Sequence, residues 1–185
     1  MKKKTDEKLI QIIKAGGRKS EPAFAELIDR YSERLYWHIR KILISHEDTN
    51  DVVQNTLVKV FQNLDKFRSE SKFYTWLYRI GTNEALSFLK KQDRNSADNL
   101  DDHLQNLSQT LEADEYFQGD EIQEKLQKSI LMLPEKQRLV FNMKYFDEMK
   151  YQDMAEVLET SVGALKASYH HAVKKIEEIL KDDII

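Results

Sequence analysis

Apolar residues recur at three- and four-residue intervals along nearly the whole chain, a period that favours helices over strands. The longest run, Phe24, Leu27, Ile28, Tyr31, Leu35, Ile39 and Ile42, draws one stripe across about six turns of a single helix. Only five Gly and two Pro interrupt 185 residues. The fold class expected is therefore all-α. A first helix is predicted over Asp6 to Ala15, ended by Gly16-Gly17, and Ser20 caps the long second one. A third runs from about Asp48 to Leu64, with Val53, Leu57, Val60 and Phe61 facing inward. A fourth starts near Phe73 and runs to about Lys91, with Phe73, Trp76, Leu77, Ile80 and Leu89 in the core and Tyr74 and Tyr78 outside. Helices from Glu121 to Leu133, with Ile122, Leu126, Ile130 and Leu133 aligned, and from Pro134 onward open the C-terminal part.

Charge divides the chain into three. Residues 1–95 hold 19 Lys+Arg against 13 Asp+Glu, residues 96–120 none against 7, and residues 121–185 10 against 12. A basic first part, an acidic tether and a near-neutral last part predict two small helical domains, 1–95 and 121–185, joined by a flexible acidic linker at 96–120. Net charge is −3, so affinity for free DNA is expected to be weak, because phosphate neutralisation supplies most non-specific binding.

Lys150 to Ile176, KYQDMAEVLETSVGALKASYHHAVKKI, reads as helix, tight turn and second helix. Tyr151, Met154, Ala155 and Leu158 give the first an apolar face, and Leu165, Tyr169, Ala172, Val173 and Ile176 the second. Thr160 or Ser161 can cap the second helix. Its open side offers Ser161, Gly163, Ala164, Lys166, Ala167, Ser168, His170, His171 and Lys174. Small, polar first turns beside cations suit a DNA major groove. The pattern alone equally fits an ordinary helical hairpin with a solvated face.

FRSESKFYTWLYR, residues 67–79, sets aromatic rings beside cations, the texture on which single-stranded bases stack while Lys and Arg meet phosphates. Trp76 is expected in the core. Phe67, Arg68, Lys72 and Tyr74 are the candidates for contact.

The chemistry of an enzyme is missing. There is no Cys, and His38, His46, His103, His170 and His171 lie at no metal-ligand spacing. No phosphate-binding Gly loop or nucleophile elbow occurs. No catalytic residue, metal or cofactor is expected. No apolar run is long enough for a membrane span and the basic N-terminus lacks a signal-peptide core, so a cytoplasmic protein without membrane insertion is expected.

Two blocks carry a family likeness. FAELIDRYSERLY, DVVQNTLVKVFQNLDKF and FYTWLYRIGTNEALSFLKK form the first, and LQKSILMLPEKQRLVFNMKYFDEMKYQDMAEVLETSVGALKASYHHAVKKI the second. The chain resembles a bacterial RNA polymerase sigma factor of the extracytoplasmic-function group. That resemblance implies a transcription initiation factor whose partners are core RNA polymerase and promoter DNA, and for many relatives an anti-sigma factor. It implies that Asp51, Gln54 and Asn55 dock on polymerase. It also implies that the 65–72 loop with Phe73 and Tyr74 captures a flipped base of the minus-ten element, and that Asn83, Ser87 and Lys90 contact that element. The last domain would read the minus-thirty-five element. Glu159 departs from the family's frequent Gly, Ser87 from a common Asp, and Ser168 and His171 from frequent Arg. A stand-alone helix-turn-helix regulator and a helical adaptor binding only protein are the rival readings.

Overall fold

The computed structural model describes residues 4–68, 70–95 and 121–182, and all the regular structure among them is helical. The predicted linker at 96–120 lies outside the described residues. The chain divides into two compact units, Met1–Phe88 and Leu89–Ile185, with the division falling inside a helix.

The first unit contains α1 (Asp6–Ala15), α2 (Ser20–Asp29), α3 (Ser32–Leu43), α4 (His46–Asn63), a single 3-10 turn (Leu64–Lys66) and most of α5 (Phe73–Asn95). The Thr5 side chain accepts from the Lys8 N–H, and Asp6 and Glu7 complement the dipole of the first turn. Gly16 and Gly17, at φ 69° and 81°, end α1 as their order in the sequence predicts. Ser45 caps α4 by accepting from the Asp48 N–H. Leu9, Leu27, Leu35, Ile39, Val60, Leu64 and Leu77 form the centre of the buried core. Gly81 of α5 lies against α3 and α4. A Cβ there would stand 2.9 Å from Leu35 Cδ1 and 3.3 Å from Ile39 Cδ1, so the glycine permits close packing.

Ser20 does not cap α2 as expected: Lys19 precedes the helix without a side-chain bond, and the Ser20 hydroxyl donates to the Ile13 carbonyl at 3.2 Å. Three further expectations for this unit need correction. The long stripe from Phe24 to Ile42 is not one helix but α2 and α3, broken at Arg30–Tyr31. Arg30 is held by Asp6 at 2.7 Å and Glu26 at 2.8 Å, and the Tyr31 hydroxyl donates to Asp6. These bonds tie the junction to α1, and the Tyr31 N–H turns back to the Ile28 carbonyl at 2.9 Å. Second, α4 buries Thr49, Val52, Thr56 and Val60, leaving Phe61 exposed. Third, Tyr78 is 2% exposed, its ring 4.7 Å from that of buried His38, which bonds Thr82 at 2.8 Å.

The second unit contains α6 (Glu121–Leu131), α7 (Glu135–Tyr145), α8 (Tyr151–Leu158) and α9 (Val162–Asp182). Ile130, Leu133, Phe141, Ala172 and Ile176 build its core, with Leu126, Tyr169 and Val173 packed at the edge. The Phe141 and Tyr169 rings stack at 5.8 Å. Ile122 does not join its predicted partners. It is 75% exposed, one turn before Leu126, beyond the reach of that cluster.

Candidate polymerase and nucleic-acid interfaces

Rotation of α4 creates the first surface. With Thr49, Val52, Thr56 and Val60 turned inward, the outer stripe reads Asp51, Gln54, Asn55, Val58, Phe61 and Gln62, the i, i+3, i+4, i+7 spacing of one helix face. Val58 is 54% and Phe61 49% exposed, and the Phe61 ring meets Phe24 edge-on at 5.0 Å. Asp51, Gln54 and Asn55 are brought together as a polar end of this stripe. Phe61 was missed in the sequence because its hydrophobicity placed it on the inner face, and Val58 was not singled out; neither was read by its register with Asp51.

The second surface is an aromatic cup beside the loop that follows the 3-10 turn. Phe67 is not an open ring as expected. It is 4% exposed, 5.1 Å from Trp76 and 5.9 Å from Phe73, and so forms the floor. Lys14 of α1 fixes the loop from below, donating to the carbonyls of Phe67 at 2.6 Å and Asp65 at 3.3 Å. A lysine at the end of a helical turn also opposes the negative end of its dipole. Arg68 and Lys72 are exposed, with Lys72 Nζ 5.6 Å from the half-buried Tyr74 ring. Phe67, Phe73 and Tyr74 line a cavity of about 240 Å³ whose other side comes from α1 and Tyr31.

Asn83, Ser87 and Lys90 follow on α5. All three are exposed and share one face by their four- and three-residue spacing. Glu84, between them, is held to α4 by Lys59 at 2.5 Å.

The third surface is the open face of α9. Glu159 closes α8 in the left-handed region, φ 49° and ψ 47°, its N–H donating to the Ala155 carbonyl. The turn is thus made without glycine. Ser161, rather than Thr160, caps α9, accepting from the Ala164 N–H at 3.2 Å. Leu165, Ala172 and Ile176 are buried, while Ser161, Gly163, Ala164, Lys166, Ala167, His170, His171 and Lys174 are exposed and Ser168 is half-buried. Gly163, Ala167, His170 and Lys174 make one strip, and Ala164, Ser168 and His171 the next. Lys166 Nζ lies 5.9 Å from the Tyr151 ring. A cavity of about 290 Å³ at the far end is lined by His171, Lys174, Lys175, Gln137 and Glu178.

An exposed apolar stripe, an aromatic cup edged by cations and a helix-turn-helix with an open, small-residue face define a helical DNA-engaging protein that also docks on a protein partner. Residues 27–95 match the family model for sigma-70 region 2, and residues 123–176 that for sigma-70 region 4. The ECF RNA polymerase sigma factor SigW of Bacillus subtilis is 27% identical over 183 residues, covering 95% of this chain and 96% of the relative. The ECF RNA polymerase sigma-E factor of Haemophilus influenzae is 29% identical over 94% of each. Among solved structures, CnrH in complex with the cytosolic domain of CnrY shares the fold, with TM-score 0.69 and 24% identity over 96% of this chain and 98% of that one. The sigma factor RpoE of Bartonella quintana, solved with the anti-sigma factor NepR, does so with TM-score 0.66 and 22% identity, over 85% of this chain and 96% of that one.

The chain belongs to the extracytoplasmic-function group of sigma-70-family RNA polymerase sigma factors. It is a transcription initiation factor that directs RNA polymerase to promoters, a regulatory rather than catalytic role at the level of the family. No helix among the described residues is long and apolar enough to cross a membrane.

Proposed function

We propose that residues 1–95 couple polymerase to the minus-ten element, that 121–185 read the minus-thirty-five element, and that the acidic 96–120 segment tethers them and threads toward the polymerase active centre. The outer stripe of α4 docks on polymerase through Asp51, Gln54 and Asn55, extended by Val58 and Phe61. The 65–72 loop with Phe73 and Tyr74 captures a base flipped from the non-template strand, over the Phe67 floor. Arg68 and Lys72 meet the phosphates beside it, and Asn83, Ser87 and Lys90 contact the adjacent minus-ten DNA. Extruding a base costs a few kcal/mol, roughly, which stacking on rings such as these offsets. On α9, Ser161, Gly163, Ala164, Ala167 and Ser168 approach the major groove, while Lys166, His170, His171 and Lys174 lie beside phosphates. The chain itself performs no chemistry, works in the cytoplasm where polymerase is, and has an anti-sigma protein as a further partner, as RpoE of Bartonella quintana is solved with the anti-sigma factor NepR.

The observation that carries this reading is the half-exposed Val58 and Phe61 on α4, in register with Asp51, Gln54 and Asn55. Large apolar side chains aligned on a helix whose other face is fully buried mark a protein-docking surface. The test combines core RNA polymerase, a promoter-fragment library and this chain, and maps transcript starts. Starts that require the chain are expected. Tight binding to paired duplex half-sites without polymerase, and no new starts, would overturn the reading.

A further inference from the structure

The cavity beside the loop is only half built by the loop. Its other wall is α1, which lies before residue 27, where the match to the region 2 model begins. The two walls differ in chemistry. The loop side offers the Phe67, Phe73 and Tyr74 rings together with Ser71 and Lys72, whose hydroxyl and ammonium can donate. The α1 side offers hydrogen-bond acceptors. Glu7 is exposed in the first turn of α1, and no hydrogen bond or ion pair engages its carboxylate among the described residues. The Tyr31 hydroxyl donates its proton to Asp6, which leaves its oxygen able only to accept. Burial and the Asp6 carboxylate push the Tyr31 pKa well up, so that proton stays in place at neutral pH. Asp6 is itself engaged by Arg30 at 2.7 Å. The charged acceptor that no partner engages among the described residues is therefore the Glu7 carboxylate, beside the Tyr31 oxygen and the Ser71 hydroxyl.

We propose that α1 completes the base pocket and that Glu7 is a specificity-determining residue, accepting from the exocyclic amino group of a captured adenine, cytosine or guanine and excluding thymine. The inference rests on base capture by the 65–72 loop with Phe73 and Tyr74 and adds to it the class of base. Thymine alone has no exocyclic amino group; its single ring donor, N3–H, is flanked by two carbonyl oxygens that a carboxylate repels. Lys14 serves as a positioning residue, since its bonds to the Asp65 and Phe67 carbonyls hold the loop against α1.

The test uses holoenzyme assembled from core polymerase and the full chain. The probes are fork-junction promoter DNAs carrying a randomised single-stranded non-template minus-ten segment, with bound sequences counted. Tyr74→Ala identifies the pocket position as the one whose base preference it erases. At that position the wild-type chain should disfavour thymine about tenfold against the mean of the other bases. Glu7→Gln, whose amide can donate to a thymine carbonyl, should bring thymine to near parity there and leave other positions unchanged. Glu7→Ser should also lose the discrimination, and the thermal midpoint of each variant checks folding. Thymine accepted equally by the wild type, or still excluded by both Glu7 variants, overturns the role of Glu7 while base capture stands. If Tyr74→Ala changes no position, base capture itself fails.

Discussion

Glu159 occupies backbone that a side chain resists. A non-glycine residue in the left-handed region costs roughly 1–2 kcal/mol, and at φ 49° Glu159 bears that strain at the turn joining α8 to α9. Glu159→Ala and Glu159→Gly both remove the carboxylate, so their difference isolates the backbone. The glycine variant should be the more stable by about 1 kcal/mol. Hydrogen exchange of the α8 and α9 amides reads this directly, and equal protection in the two variants would refute it. At Gly81 two effects oppose each other. Alanine gains roughly 1 kcal/mol of helix propensity, but its Cβ meets Leu35, Ile39 and Thr56, all fully buried. Overpacking a filled core costs about 1–3 kcal/mol, so packing wins. Gly81→Ala should lower the urea midpoint modestly and Gly81→Val more steeply. A stabilised alanine variant would show that Leu35 has room to turn aside. The sequence placed this glycine in a helix, but the neighbours that make it necessary come from α3 and α4, distant in the chain.

At the scale of the element, α4 shows where reading by hydrophobicity fails. Val53, Leu57, Val60 and Phe61 look like its inner face. Its actual inner face carries Thr49 and Thr56, because their hydroxyls need no outside partner. Thr49 Oγ1 donates to the Ser45 carbonyl at 2.6 Å and Thr56 Oγ1 to the Val52 carbonyl at 2.7 Å, within the helix itself. With that bond made, a threonine is buried at little cost, and the helix rotates to expose Phe61. The all-α class, the turn at Gly16-Gly17 and the open face of α9 were legible, since each follows from local spacing or chain order. The break between α2 and α3 was not, because Arg30 and Tyr31 are bonded to Asp6, 24 and 25 residues away. The rotation of α4 leads to a prediction. Phe61→Ser and Val58→Asp should each weaken core-polymerase binding about tenfold or more, as truncation of docking anchors does. Helicity and thermal midpoint should scarcely change. Val60→Asp, on the buried side, should unfold the first unit instead. If Phe61→Ser binds polymerase as well as the wild type, the exposed stripe is not the docking face.

At the scale of the whole molecule, charge decides how the two DNA-facing surfaces divide the labour. The chain carries 29 Lys+Arg against 32 Asp+Glu, and its cations are concentrated in residues 1–95. On α9 the cations are few, and Lys174 lies 4.0 Å from Glu178, both exposed, a pair of little energetic weight. Such a face cannot grip duplex DNA by phosphate neutralisation alone. On the proposed reading it gains its effective affinity when polymerase and the first unit already hold the promoter, because the second contact then becomes intramolecular. Base reading on α9 is similarly spare. Ser168 is half-buried and His171 borders the cation-lined cavity, and neither offers the bidentate fork by which Arg selects guanine. Promoter preference in this unit should then depend on phosphate positioning and DNA shape. Ser168→Ala and His171→Ala should hardly alter the ranking of minus-thirty-five sequences by holoenzyme. Lys166→Ala and Lys174→Ala should weaken binding to all of them alike, each reducing the slope of log affinity against log salt by about 0.9. Competition among a minus-thirty-five library at several salt concentrations measures both quantities at once. A large loss confined to one base position in either Ala variant of Ser168 or His171 would show that α9 reads bases directly. An unchanged salt slope in Lys166→Ala would remove that lysine from the phosphate contact, leaving Lys174 and its neighbours at the cavity to position the helix.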